Sequence, residues 1–153
     1  MSESLAEDEG AQVWIDRGGR RYAPGETLQG GYRLGGWRDA DLVAVEFSVL
    51  WYTAGQGEED FFVHHFDRHR EANLPARTDE APHLFSVALP ASPLSYDGQI
   101  VKVCWAARLR GFFRADRQRV VDAPFWVTLP SDQDFEVDRS RDDVVTSARE
   151  AKP

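Results

Sequence analysis

A chain of 153 residues with 42% hydrophobic content and five Trp has the apolar material for one core, and at this length folding buries about two-thirds of the unfolded surface. The net charge of −8 sits at the ends: residues 1–10 carry four acids and no base, residues 131–153 seven acids and four bases, leaving 15 acids and 14 bases between them. A near-neutral body excludes the basic footprint that nucleic acid requires, and no apolar run approaches the roughly 20 residues that span a bilayer.

Residues 1–10, MSESLAEDEG, read as a disordered acidic leader, without the basic and apolar regions of a signal peptide. The single Cys104 excludes an internal disulfide and suits a reducing compartment. A cytoplasmic protein is the expectation. Residues 11–18 alternate Val13 and Ile15 against Trp14 and Asp16, which predicts a first strand closed by a turn at Gly18–Gly19. Pro24–Gly25 marks the next turn, and Leu28, Tyr32 and Leu34 follow in a strand interrupted by Gly30–Gly31. Paired glycines inside a strand predict a bulge or a close backbone crossing.

Residues 42–54 form the longest predicted strand, with Val43, Val45, Phe47, Val49 and Trp51 on one face. Residues 61–70, FFVHHFDRHR, make another strand that is aromatic on both faces, and alternation alone does not orient it. Residues 71–82 read as a loop. Within residues 85–110, Phe85, Val87 and Leu89 share one side of a strand. After a Pro, Ser and Gly corner, Val101, Val103, Trp105, Ala107 and Leu109 share one side of the next. The odd rows of residues 43–51 and 101–109 are expected to meet each other across a dry interlayer. A last strand over residues 118–129 turns Val121, Ala123, Phe125, Val127 and Leu129 inward, and its Pro124, which has no amide hydrogen, places it at an edge or bulge. Seven or eight strands without a helical period describe an all-β, immunoglobulin-like antiparallel β-sandwich over residues 11–130, with a closed barrel as the second architecture. Residues 131–153 read as an acidic flexible tail, within which residues 140–151 have the pattern of a short helix.

The order of these signals resembles the arrestin-like superfamily. Tyr22-x-Pro24-Gly25-Glu26-x-Leu28-x-Gly30 is similar to the early motif in which Pro-Gly-Glu turns the chain into a strand that opens with Gly. Phe85-x-Val87-x-Leu89-Pro90, then Pro93-x-Ser95-x-x-Gly98 and an aliphatic strand ending near Leu109, is similar to the later signature. Members include arrestins, the small retromer subunit and bacterial sporulation-control proteins. The resemblance implies a non-enzymatic scaffold or adaptor that binds protein partners and uses no cofactor. Most members have two such domains; a homodimer standing in for the second is one expected state of this single-domain chain. No residues match the polar core or phosphate sensor of true arrestins, so nothing about receptors is carried over.

Candidate sites are few. Arg108, Arg110, Arg114, Arg117 and Arg119 flank one turn with Phe112 and Phe113 at its tip, an arrangement suited to gripping an acidic peptide or phosphate through bidentate guanidinium contacts. His65, Asp67 and His69 would share a strand face as candidate metal ligands, but the interleaved Phe66, Arg68 and Arg70 and the lack of an assisting Cys argue against a metal. Trp14, Trp37, Tyr52 and Trp126 fall opposite the inferred core or in turns, which suits a partner surface or a small-ligand or carbohydrate platform. Cys104 and Ser95 lack the neighbours of a nucleophile, and Glu58, Glu59 and Asp60 read as a solvated turn. No catalytic constellation is present, so no enzyme is expected.

Overall fold

The computed structural model describes residues 4–8, 10–19, 21–39, 41–70 and 81–130. Among the described residues ten strands build two facing sheets: β1 (Ser4–Asp8), β2 (Ala11–Ile15), β3 (Arg21–Tyr22), β4 (Thr27–Arg33), β5 (Leu42–Gly55), β6 (Phe61–Arg70), β7 (His83–Ala88), β8 (Tyr96–Asp97), β9 (Val101–Phe113) and β10 (Arg117–Val127). The smaller sheet runs β1-β2-β4-β7 and the larger runs β3-β10-β9-β5-β6, with β8 also paired to β9. This is the all-β sandwich that the alternation predicts, and 3-10 turns at Asp16–Gly19 and Gly35–Asp39 join its strands. The motifs behind the arrestin-like resemblance fall at its corners: Pro24–Gly25 is the turn before β4, and Leu89–Pro90 is the exit from β7. No helix among the described residues is long and apolar enough to cross a membrane.

Buried alternate residues of both sheets make the core. From the larger sheet come Val45, Phe47, Val49, Trp105, Ala107, Leu109, Val121, Ala123, Phe125 and Val127, and from the smaller Val13, Ile15, Leu28, Tyr32 and Val87. Across the interlayer Phe47 meets Phe85 at 4.4 Å and Tyr32 at 5.5 Å between ring centroids.

The structure corrects the expected pairing of the two apolar rows. β5 and β9 are neighbours in one sheet, from Leu42↔Phe113 to Gly55↔Val101, so their apolar rows lie side by side and not across the layers. Alternation states which face is buried; it carries no information about which strand lies beside which. Val43 is 40% exposed because a bulge sets Leu42 and Ala44 against adjacent β9 residues, which turns Leu42 inward in its place. Leu129, expected inward, is 63% exposed beyond the end of β10.

Further differences concern the edges. Ser4–Asp8, read as part of a disordered leader, is a strand paired with β2 from Ser4↔Ile15 to Asp8↔Ala11. Backbone groups on the open side of β2 accept a neighbour whatever the net charge of its side chains. β3 pairs with β10 in parallel, an exception to the purely antiparallel expectation, and covers only Trp126 and Val127. Pro124 therefore lies where β10 has no described strand on its outer side, in keeping with its missing amide hydrogen. Gly30–Gly31 mark a close crossing: a Cβ on Gly30 would meet the Trp14 carbonyl and the Phe85 ring, and one on Gly31 the Trp14 indole. The reading of residues 131–153 and that of residues 71–80 as a loop lie outside the described residues.

Candidate interaction surface

The outward face of the larger sheet brings side chains from four strands into rows. One row carries Val120, Arg110, Glu46 and Arg68; the next carries Asp122, Arg108, Ser48 and Phe66; a third carries Pro124, Ala106, Leu50 and Val63. Small or medium residues in the middle strands are covered by long ones at their sides, so Ala106, Leu50 and Ser48 are buried although they point away from the core. Phe61, Val63, Phe66 and Trp126 remain between 44% and 56% exposed. An exposed aromatic strip on a sheet face is the kind of surface that marks a contact site.

The charges around this strip are mostly matched. Arg108 donates from Nε and an Nη to both carboxylate oxygens of Asp122, at 2.7 and 2.8 Å, and its guanidinium lies 5.1 Å from the Phe61 ring centroid. The hydrogen bond to Asp122 holds the Arg108 pKa above its ordinary value. Arg68 donates to Glu46 at 2.8 Å and lies over Phe112. Of the seven residues expected to grip an acidic ligand, Arg108 is thus committed to Asp122, and Phe113 is not at a tip at all. Phe113 is 4% exposed, set edge-on against the buried Trp37 ring, with Arg117 and Arg119 over its face. The ladder continues to the turn at residues 114–116, so Phe113 keeps the inward parity of Leu109 and Gly111 while Phe112 faces out. A Cβ on Gly111 would collide with Trp37, so that glycine makes the space in which the indole lies. Arg110, Phe112, Arg114, Arg117 and Arg119 keep surface exposure to varying degrees.

A bulge orients β6. Val49 pairs with His65 and Leu50 with Val63, so His64 stands out of the ladder and parity changes there. On its C-terminal side Phe66, Arg68 and Arg70 face out while His65, Asp67 and His69 face in; on the other side Phe61 and Val63 face out and Phe62 stacks on Trp51 at 4.0 Å. His64 donates its Nε2–H to the Ala88 carbonyl at 2.7 Å, tying the edge of one sheet to the end of β7 in the other. The candidate metal ligands do share a face, but they are used otherwise: His65 pairs with Asp67 at 2.8 Å, and His69 turns to the His83 ring at 5.8 Å. Among the described residues no group of three His, Cys, Asp or Glu is placed to hold a metal ion.

His83 stacks on Tyr32 at 4.9 Å. Burial first, then the nearby His69 and Arg38, lowers its pKa below the ordinary 6.5. Burial, with Asp67 adding to it, pushes the Tyr32 pKa up to about 12. In the unfolded chain His83 binds a proton near its ordinary value while the folded site resists it. Stability from this group is therefore full above about pH 6.5 and falls as pH drops below that, until the lowered folded pKa is passed. Urea titrations from about pH 8 to about pH 5 are expected to show a falling midpoint, and His83→Asn to make that fall smaller. An unchanged slope in the variant would remove His83 as the cause.

No family model matches the chain, and no curated protein does. Among solved structures it is similar to Spo0M, a sporulation control protein from Bacillus subtilis, with 12% sequence identity, 82% of this chain and 50% of that chain covered, and a TM-score of 0.48. The present chain thus spans half the length of that structure.

The remaining sequence candidates are accounted for by packing. The Ser95 hydroxyl accepts the Val127 amide at 2.9 Å and holds the corner before β9 onto the end of β10. Cys104 is half-buried on the outward face opposite Tyr52. Trp37 and Trp14, offered as a partner or sugar platform, are 0% and 8% exposed; loops and strands of the same chain cover them, and only Trp126 is broadly open. Sequence reading missed Asp122 and Glu46 as partners of the arginines, and Phe61, Val63 and Phe66 as an outward strip. The hairpin was the available signal: a turn at residues 114–116 that pairs Phe113 with Arg117 also sets Arg108 opposite Asp122.

Proposed function

We propose that this chain is a non-enzymatic scaffold or adaptor of the arrestin type that binds a protein partner on the outward face of its larger sheet. The observation that carries the reading is the exposed strip of Phe61, Val63, Phe66 and Trp126, bordered by arginine, on a sheet face that no described element covers. The sequence motifs that resemble the arrestin-like superfamily support the same class. The binding domain takes in β1 and so extends from residue 4 to residue 130, and its one thiol suits a reducing, cytoplasmic setting. Arg110, beside Phe112 on this outward face, and Arg114 at the β9–β10 turn add attraction for an acidic partner and set its orientation, while Arg117 and Arg119 share the inward parity of Phe113 and lie off it. The carbohydrate reading loses its basis with Trp14 and Trp37 inside the fold.

The test is quantitative affinity capture with wild type, the double variant Trp126→Ser and Arg110→Glu, and a control, Leu84→Lys, at a 77% exposed position of the smaller sheet. A defined protein recovered by wild type and control but reduced about tenfold or more by the double variant is the expected result. Equal recovery by all three chains would refute this surface.

A further inference from the structure

β6 closes one side of the larger sheet, and among the described residues no strand pairs with its outer edge. An edge this long, with exposed Phe61, Val63 and Phe66, is a template for another strand. With His64 out of the ladder, β6 offers nine rungs, and Phe66 is the fifth of them. An antiparallel pairing about a twofold axis normal to the sheet sets positions of the same facing opposite each other. Full overlap therefore places Phe66 against the partner's Phe66 on the axis.

The charges favour that register. His65 then faces the partner's Asp67, Val63 the stem of the partner's Arg68, and Phe61 the partner's Arg70. The aromatic first half of the strand meets the arginine-bearing second half, the Arg-on-ring contact that this chain already makes at Phe61 and Phe112. Moving the axis by one rung sets Asp67 against Asp67 or His65 against His65 and gives up two rungs; like charges directly opposite destabilise a ladder. The bulged His64 is already committed to Ala88 and does not obstruct the edge.

We infer that β6 is the seam of a homodimer, in which two copies of this chain join edge to edge with Phe66 on the twofold axis and make one continuous twelve-stranded sheet. The two outward faces then form a single surface. The seam goes beyond the adaptor reading and does not depend on it: the partner test above leaves β6 unchanged in every variant, and a monomeric chain would leave that test intact.

Sedimentation of the full chain across a concentration series decides the matter. Wild type is expected to be dimeric, Phe66→Glu to shift it to monomer, and Val120→Glu, a comparably exposed position on the same face, to leave it dimeric. Urea titration of Phe66→Glu checks that its fold is kept. In a Cys104→Ser background, Phe66→Cys is expected to cross-link into a covalent dimer under mild oxidation, faster than Asp67→Cys or Arg68→Cys. A wild-type chain that stays monomeric into the sub-millimolar range, a dimer indifferent to Phe66→Glu, or cross-linking that favours another position overturns the seam.

Discussion

Replacing Trp105 with Ala is expected to lower the free energy of unfolding by about 3–5 kcal/mol. The ring is 1% exposed, stands 5.8 Å from Phe125 and 6.2 Å from His64 between centroids, and donates its Nε1–H to the Pro93 carbonyl at 2.9 Å. It therefore joins three things: the middle of β9, the inward face of β10, and the corner that leads from β7 back into the larger sheet. Alanine leaves a cavity that rigid strands on either side do not close. Trp105→Phe keeps most of the apolar volume and removes the donor, so a smaller loss of about 1–2 kcal/mol is expected from the Pro93 carbonyl and the missing ring atoms. Urea denaturation followed by circular dichroism measures both. An Ala variant within about 1 kcal/mol of wild type would mean that the indole is not part of the core.

Arg108→Ala is expected to cost about 1–3 kcal/mol, although Arg108 was first read as a binding residue. Its side chain is 12% exposed and fixed in two parallel hydrogen bonds to Asp122, whose side chain is 32% exposed. Solvent around the carboxylate screens part of the attraction, which sets the estimate below that for a fully buried pair. The loss includes the guanidinium's cover over Phe61 as well as the charge pair. A combined Arg108→Met and Asp122→Leu variant removes both charges while keeping apolar volume, and is expected to recover most of the lost stability. If the single variant unfolds within about 0.5 kcal/mol of wild type, the pair is worth no more than an ordinary surface bridge. If it keeps its stability and loses a partner, Arg108 returns to the binding set.

Local pattern made much of this fold legible. Phe61–Arg70 matches the strand read from the sequence end to end, and the buried residues Val45, Phe47, Val49, Trp105, Ala107 and Leu109 all lie on the face that period two assigns them. The candidate surface was harder to see. Phe113 looked like a hairpin tip until the ladder ran past it, and His65, Asp67 and His69 looked like ligands until Asp67 took His65 and His83 took His69. The His83 contact depends on a separate strand, and the other two on which way each side chain faces once the ladder and its bulge are set.

By itself the amino-acid order determined that the protein is layered from strands, which side of most strands is apolar, and where turns interrupt them, because side-chain direction alternates residue by residue and turn chemistry is local. Only the tertiary arrangement decided that β5 lies beside β9, that one bulge turns Val43 out and another splits β6 into two facings, and that Arg108 belongs to Asp122. Strand adjacency is chosen by the fit of whole faces and by the backbone hydrogen bonds of segments tens of residues apart, and no single segment encodes it.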